Sequence, residues 1–272
     1  YAMRAAARRR LPVIVLDRPN PITGTRTEGP MLDTALAFER SDGEGGRPAK
    51  PYALYPIPLR HGLTMGELAL LYNRVLALGC DLHVIPAANW RRDRWYDQTH
   101  LRWIRPSPNM PSLESALLYP GLVAFEGTNL SVGRGTPIAF QHVGAPWLDA
   151  TRVVALLRDR TITGVEFEAE RFTPDQPTDG KYGGRALPAV RIKIVDRERE
   201  QAARIGAALL WAIAKTHRDS LRVNAASFDD RFGAARVREA LLRGEDPDSV
   251  MDRELPATVA FQKRARAIWL YH

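Results

Sequence analysis

Four stretches of this chain gather the side chains that could do chemistry. The first is Asp17-Arg-Pro-Asn-Pro-Ile-Thr-Gly, ending in Glu28-Gly-Pro, and the second is Pro58-Leu-Arg-His-Gly-Leu-Thr-Met-Gly-Glu. The third is Trp103-Ile-Arg-Pro-Ser-Pro-Asn-Met-Pro, and the fourth is Phe125-Glu-Gly-Thr-Asn-Leu-Ser-Val-Gly-Arg-Gly-Thr. Proline fixes the backbone and glycine permits tight turns, so such segments can hold polar groups at set positions. They offer the carboxylates Asp17, Glu28, Glu67 and Glu126, the guanidiniums Arg60 and Arg134, the imidazole His61 and the amides Asn20, Asn109 and Asn129. Glu126 follows an apolar run at 122–125, which reads as a strand, and precedes a glycine-rich turn. A desolvated carboxylate so placed could act as an acid. Asp17 suits a turn cap as well as chemistry. Glu67 fits better as the partner of Thr64 in a helix capping box.

The window Trp90-Arg-Arg-Asp-Arg-Trp-Tyr, extended to Arg102-Trp103, holds three of the six tryptophans. Indole faces stack on sugars and on bases, so it fits a carbohydrate or a single-stranded nucleic acid, and equally tryptophans packed on a core. Other chemistries lack their signatures. Gly133-x-Gly135 is followed by Ile138 where a dinucleotide fingerprint needs its third glycine, and there is no Gly-x-x-x-x-Gly-Lys phosphate loop. Ser131 has Asn129 where a nucleophile elbow needs glycine. The six histidines form no tight metal pattern, and the single cysteine, Cys80, cannot build a disulfide framework or a Cys-rich zinc site. No cofactor and no metal are expected.

The elements that must position these loops read as α/β. Residues 11–17 and 82–86 are short apolar runs of the kind buried on both faces of a parallel sheet, with a helix between them from Thr64 to Gly79. This order is a βαβ-like unit. The polar stretch at 41–51 reads as exposed and 89–111 as a long functional loop. Helices follow at 112–119 and 147–158. Beyond about residue 160 the pattern changes to strands at 164–168 and 189–195, a helix over 198–215 and two more helices after Phe232, a smaller α+β unit.

The 272 residues, 45% hydrophobic, suffice for one large or two smaller domains. The net charge of +8 is spread evenly, with both signs interspersed and only five lysines among 39 basic residues. That argues against a phosphate-tracking surface and suits guanidinium forks for carboxylates. No window has the ~18 apolar residues of a membrane span. The opening Tyr1-Ala-Met-Arg-Ala-Ala-Ala reads as the last turns of a helix whose start is missing, so the chain is expected to be an N-terminally incomplete fragment.

The four loops, in this order, resemble the NamZ-type exo-β-N-acetylmuramidases, a glycosidase family long catalogued as a domain of unknown function. Gly144-Ala-Pro-Trp-Leu-Asp adds a fifth match, and Asp179-Gly-Lys-Tyr and the strand at 190–192 continue the likeness more thinly. The resemblance implies a Rossmann-like parallel-sheet lobe over 1–160 and a smaller α+β lobe over 161–272, with a cleft between them. It implies removal of N-acetylmuramic acid from the non-reducing end of peptidoglycan fragments, in the periplasm or outside the cell, without nucleic acid or a membrane span. Glu126 and then Glu28 are the expected catalytic carboxylates. Glycoside hydrolysis usually needs two, ~5–5.5 Å apart for retention and ~6.5–9.5 Å for inversion. Arg60, His61, Asn109, Asn129 and Arg134, with Asn20, Trp103 and His142, are the expected sugar contacts, with Arg134 or Arg60 on the lactyl carboxylate. The family's upstream Pro-Glu-His-Gly and Asp-x-Gln-Asp-x-Gly motifs have no match here, which keeps open a non-catalytic module that binds muramic acid.

Overall fold

The computed structural model describes residues 1–37 and 54–272, so the stretch at 41–51 lies outside the described residues. In chain order the elements are α1 (Ala2–Arg8), β1 (Val13–Leu16), β2 (Glu28–Met31), β3 (Pro58–Arg60), α2 (Met65–Val75), β4 (Leu82–Ile85), α3 (Leu113–Leu122) and β5 (His142–Gly144). Then come α4 (Ala150–Arg158), β6 (Val165–Phe172), β7 (Leu187–Ile194), α5 (Ala202–Thr216), α6 (Ala225–Phe232), α7 (Ala235–Leu242), α8 (Pro247–Asp252) and α9 (Leu255–Ala265). Short 3₁₀ turns occupy Tyr96–Thr99, Val123–Gly127 and Arg266–Ile268. These elements form two compact units, one of Tyr1–Thr27, His61–Trp103 and Val259–His272, the other of Glu28–Arg60 and Ile104–Thr258.

In the first unit β1 and β4 pair in parallel, Val13 opposite Leu82 and Leu16 opposite Ile85, and α2 connects them in sequence and packs on both. The helix starts where its sequence says. The Thr64 hydroxyl accepts the Glu67 N–H, and the Glu67 carboxylate accepts the Thr64 N–H at 3.0 Å, a complete capping box. The expectation of strands buried on both faces is corrected. Burial alternates along both strands, with Ile14 at 65% and Leu16 at 72% exposure. α2 covers one face, where the Val84 methyl lies against Gly66, and alternate side chains point the other way.

The second unit carries an antiparallel β2–β3 pair, Glu28 opposite Arg60, in a stretch that reads as loop from sequence. It also carries an antiparallel sheet in the order β5-β7-β6. Because β5 precedes residue 160 while β6 and β7 follow it, one sheet joins residues on both sides of that expected boundary. The core is built around α5, whose residues from Ala202 to Ala214 are buried except for Arg204, as in a helix with apolar neighbours on every side. α3 crosses α5 with backbone nearly touching backbone. A Cβ at Gly121 would stand 1.8 Å from the Ala202 carbonyl oxygen, and one at Gly206 would stand 2.1 Å from the Gly121 oxygen.

The apolar run at 122–125 is not a strand. α3 includes Leu122 and passes directly into the 3₁₀ turn Val123–Gly127. A short run buried on all sides fits either geometry, and periodicity does not separate them. Three helices, not two, follow Phe232.

Candidate functional site

The 3₁₀ turn after α3 carries Glu126, and α6 packs against that turn with Phe125 and Phe228 in ring contact. Glu126 is nearly buried, its side chain 12% exposed, and three cations surround it. Arg134 reaches back from the glycine turn eight residues later. Its Nε donates to Glu126 Oε1 at 2.7 Å, and its Nη2 donates to the same oxygen. Arg231, from the last turn of α6, brings Nε to 3.4 Å from Oε2 and is anchored by donating Nη1 to the Ser227 carbonyl and hydroxyl at 2.9 and 2.7 Å. Lys181 donates to the carbonyls of Glu126 and Leu130 at 3.0 and 2.9 Å, and burial pulls its ammonium below the usual lysine range.

Loops from distant parts of the chain meet at this carboxylate. The Thr178 hydroxyl accepts from Asn109 Nδ2 at 3.1 Å and from Arg134 Nη1 at 3.0 Å, tying together the loops that hold these three residues. Arg134 lies over the Phe140 ring, and Tyr119 meets the same ring edge-on at 4.9 Å. Burial, and next the Glu126 charge, raise the Tyr119 phenol above its ordinary range, so it keeps its proton. The arrangement can present a carboxylate, two guanidiniums and a phenol hydroxyl on an exposed ring, which suits a sugar bearing an acid.

Of the expected site residues, Glu126, Arg134 and Asn109 are thus brought together. Asn129 is close in the chain, but its amide donates to the Ser220 carbonyl at 2.9 Å and accepts the Arg222 N–H at 2.8 Å. It fastens the loop. His142 is wholly buried, stacked on Phe172, with Nδ1 2.7 Å from Glu170 Oε1 and Nε2 3.3 Å from the Thr136 hydroxyl. Burial lowers its pKa, so the neutral ring donates from Nδ1 to Glu170. A Cβ at Gly133 would stand 2.1 Å from its Nε2, so this histidine shapes the turn that carries Arg134.

Glu28 and Arg60 form a different centre. Arg60 Nη1 donates to Glu28 Oε1 at 2.5 Å and to Glu200 Oε1 at 2.8 Å, with Arg60 and Glu200 wholly buried. An arginine so enclosed has no face for a ligand, and the cross-strand pairing of Glu28 with Arg60 explains why both point inward.

Asn20, His61 and Trp103 belong to the first unit. Asn20 donates to the Leu63 carbonyl at 3.0 Å and accepts the Ile22 N–H at 3.1 Å. His61 Nδ1 accepts the Leu63 N–H at 3.0 Å, and burial pushes its pKa down to about 4. The neutral ring therefore carries its proton on Nε2. Asp17 accepts from Gly66 N–H, Arg18 N–H and the hydroxyls of Thr64 and Tyr271, all within 2.9 Å, so it seats the start of α2. Arg92 is buried. It donates to Glu67 and to the carbonyls of Gly24 and Gly62, and lies 4.0 Å over Trp269. The tryptophan window is largely core, since Trp90 and Trp95 are buried and Trp103 is half-buried against Tyr96.

Sequence reasoning missed Arg231 and Tyr119, which sit in helices, Phe140, which follows the fourth stretch by four residues, and Glu200, which precedes α5. Lys181 carried a signal in Asp179-Gly-Lys-Tyr. Among the described residues no group of three or more His, Cys, Asp or Glu could hold a metal ion, and no helix is long and apolar enough to cross a membrane.

Family models for exo-β-N-acetylmuramidase NamZ match nearly the whole chain, the N-terminal model over residues 1–114 and the C-terminal model over 117–271. The peptidoglycan β-N-acetylmuramidase NamZ of Bacillus subtilis (strain 168) is 34% identical over all 272 residues, and the chain spans 62% of its length. Two crystal structures of DUF1343 family proteins from Bacteroides fragilis NCTC 9343 are similar, each at 28% identity. One has a TM-score of 0.85, covering all of this chain and 69% of that one; the other has 0.75, covering 99% and 69%.

Proposed function

The chain belongs to the NamZ family of exo-β-N-acetylmuramidases, and from that premise we propose that it takes part in releasing N-acetylmuramic acid from the non-reducing end of peptidoglycan fragments. The observation that carries this reading is Glu126, a carboxylate at the edge of solvent that two arginines hold and that the loops of Arg134 and Lys181 meet. Glu126 is the group we assign to the scissile bond, with Asn109, Arg134 and Tyr119 around the sugar. The β1–α2–β4 unit is read as part of a Rossmann-like lobe, and the site of action as the periplasm or the cell exterior.

Replacing Glu126 by Gln tests this with a chromogenic muramic acid glycoside. The expected result is a loss of at least about a thousandfold in turnover, the scale on which single catalytic groups act. Unchanged cleavage removes Glu126 from the mechanism. One observation favours a second reading, a module that binds muramic acid without turnover. Glu28, the other expected carboxylate, is exposed to the same degree as Glu126, 11% against 12%, but it is committed to the buried Arg60, which leaves Glu126 as the one of the two whose arginines a ligand can reach. Under that reading the wild-type chain binds the glycoside and does not cleave it.

A further inference from the structure

Glu126 and its arginines have the form of a carboxylate-recognition site that already holds a carboxylate. Arg134 directs Nε and Nη2, the two donors of one guanidinium edge, at a single oxygen of Glu126, which is the fork that pairs with carboxylates side-on. Arg231 stands 3.4 Å from the other oxygen, longer than the ~2.7–2.9 Å of a strong charged hydrogen bond, while its Nη1 is pinned to Ser227 so the guanidinium is held in place. Lys181 adds a third positive charge and Asp179 a second negative one, leaving the group with one more cation than carboxylates. Both guanidiniums are about one-fifth exposed. Beside them the Tyr119 ring, 37% exposed and backed by the buried Phe140, offers an apolar face.

We propose that Glu126 is the internal stand-in for a substrate carboxylate: an acidic sugar takes the Arg134 and Arg231 forks, and in doing so releases Glu126 from its ion pair. This rests on the reading that the ligand is a muramic acid glycoside, whose lactyl ether offers one carboxylate and one methyl group together. No bond is made or broken in the exchange. The two guanidiniums share Glu126 before binding and the substrate carboxylate afterwards, and the freed Glu126 becomes available to the glycosidic bond. The site would thereby recognise an acidic sugar and arm its own carboxylate in one event. A neutral N-acetylglucosamine glycoside would leave Glu126 locked on Arg134. Arg231, which nothing in the sequence marks out, becomes a specificity-determining residue.

The experiment is a calorimetric comparison, on the 272-residue chain, of the methyl glycoside of N-acetylmuramic acid with the same compound esterified at the lactyl carboxyl. The acid should bind at least tenfold more tightly than the ester. Arg231→Gln should erase most of that difference while leaving ester affinity unchanged, and Arg231→Lys, which keeps the charge and loses the fork, should fall between. Glu126→Gln removes the internal competitor. It should tighten binding of the acid severalfold and leave the ester unaffected, an outcome that a structural role for Glu126 would not produce. Equal affinity for acid and ester overturns the inference and leaves the muramic acid reading standing, as does a Glu126→Gln variant that binds the acid no better. If neither compound binds the wild-type chain, both fall. Should Arg231→Gln fail a thermal-melt check for folding, the Glu126→Gln comparison decides alone.

Discussion

At Arg60 one guanidinium serves two carboxylates in the interior; at Glu126 one carboxylate is met by two guanidiniums at the edge of solvent. The two centres use the same chemical groups in inverse proportion, and the inversion separates their tasks. Inside, the cation is enclosed by its two acids and shut off from water, and a pair so placed is costly to break. At the edge, water and ligands can share the work. An excess of cations over a lone acid is tolerable there, and it is useful when the visitor is an anion. The Glu67–Arg92 pair of the first unit is likewise buried, and there backbone groups bond both partners.

The sharpest way to break this contrast is to remove each arginine. Arg60→Met should destabilise the fold by about 3–5 kcal/mol, because it removes the buried guanidinium that donates to both Glu28 and Glu200. Chemical denaturation measures this, and a loss near zero would place Arg60 with the edge residues. A half-buried imidazole, His61, should show the next largest effect. His61 titrates near 4 in the folded chain and near 6.5 when unfolded. Its contribution is complete above pH 6.5 and is lost as pH falls through 4, on the order of 3 kcal/mol. His61→Gln should flatten that part of the stability profile.

Thr64→Ala, which breaks the capping box and one bond to Asp17, should cost about 1–2 kcal/mol in the same assay. Glu126→Gln should be the mildest, about 1 kcal/mol, because Gln keeps the volume and an acceptor oxygen and the two arginines are about one-fifth exposed and can turn to water. That near-neutral stability, set beside a large loss of turnover, would complete the separation of the two centres. A stability loss as large as that of Arg60→Met would erase it.

What the sequence made legible follows the range of the interaction. The capping box of Thr64 and Glu67 depends on residues near one another in sequence, and the parallel β1–β4 pair on the βαβ order of the elements. The nearly buried pairing of Arg60 with Glu28 depends on a strand pair formed across thirty residues and on Glu200 beyond it, so a loop arginine that looked suited to a ligand proved internal. Arg231 lies 105 residues from Glu126 and arrives on an unremarked helix. Trp90 and Trp95 carried a composition that sugars and cores share, and their burial decided for the core. The run at 122–125 was misread because a fully apolar stretch carries no period.

The crossing of α3 and α5 at Gly121 and Gly206 bears on how this site could ever change. Glu126 is borne five residues beyond Gly121, on a turn continuous with α3, so main chain lying on main chain acts as its gauge block. A methyl group is the smallest increment that substitution can add, and here it already exceeds the gap. The acid therefore cannot be drifted by gradual adjustment at this crossing. Selection or engineering must act on the arginines and loops that come to meet it.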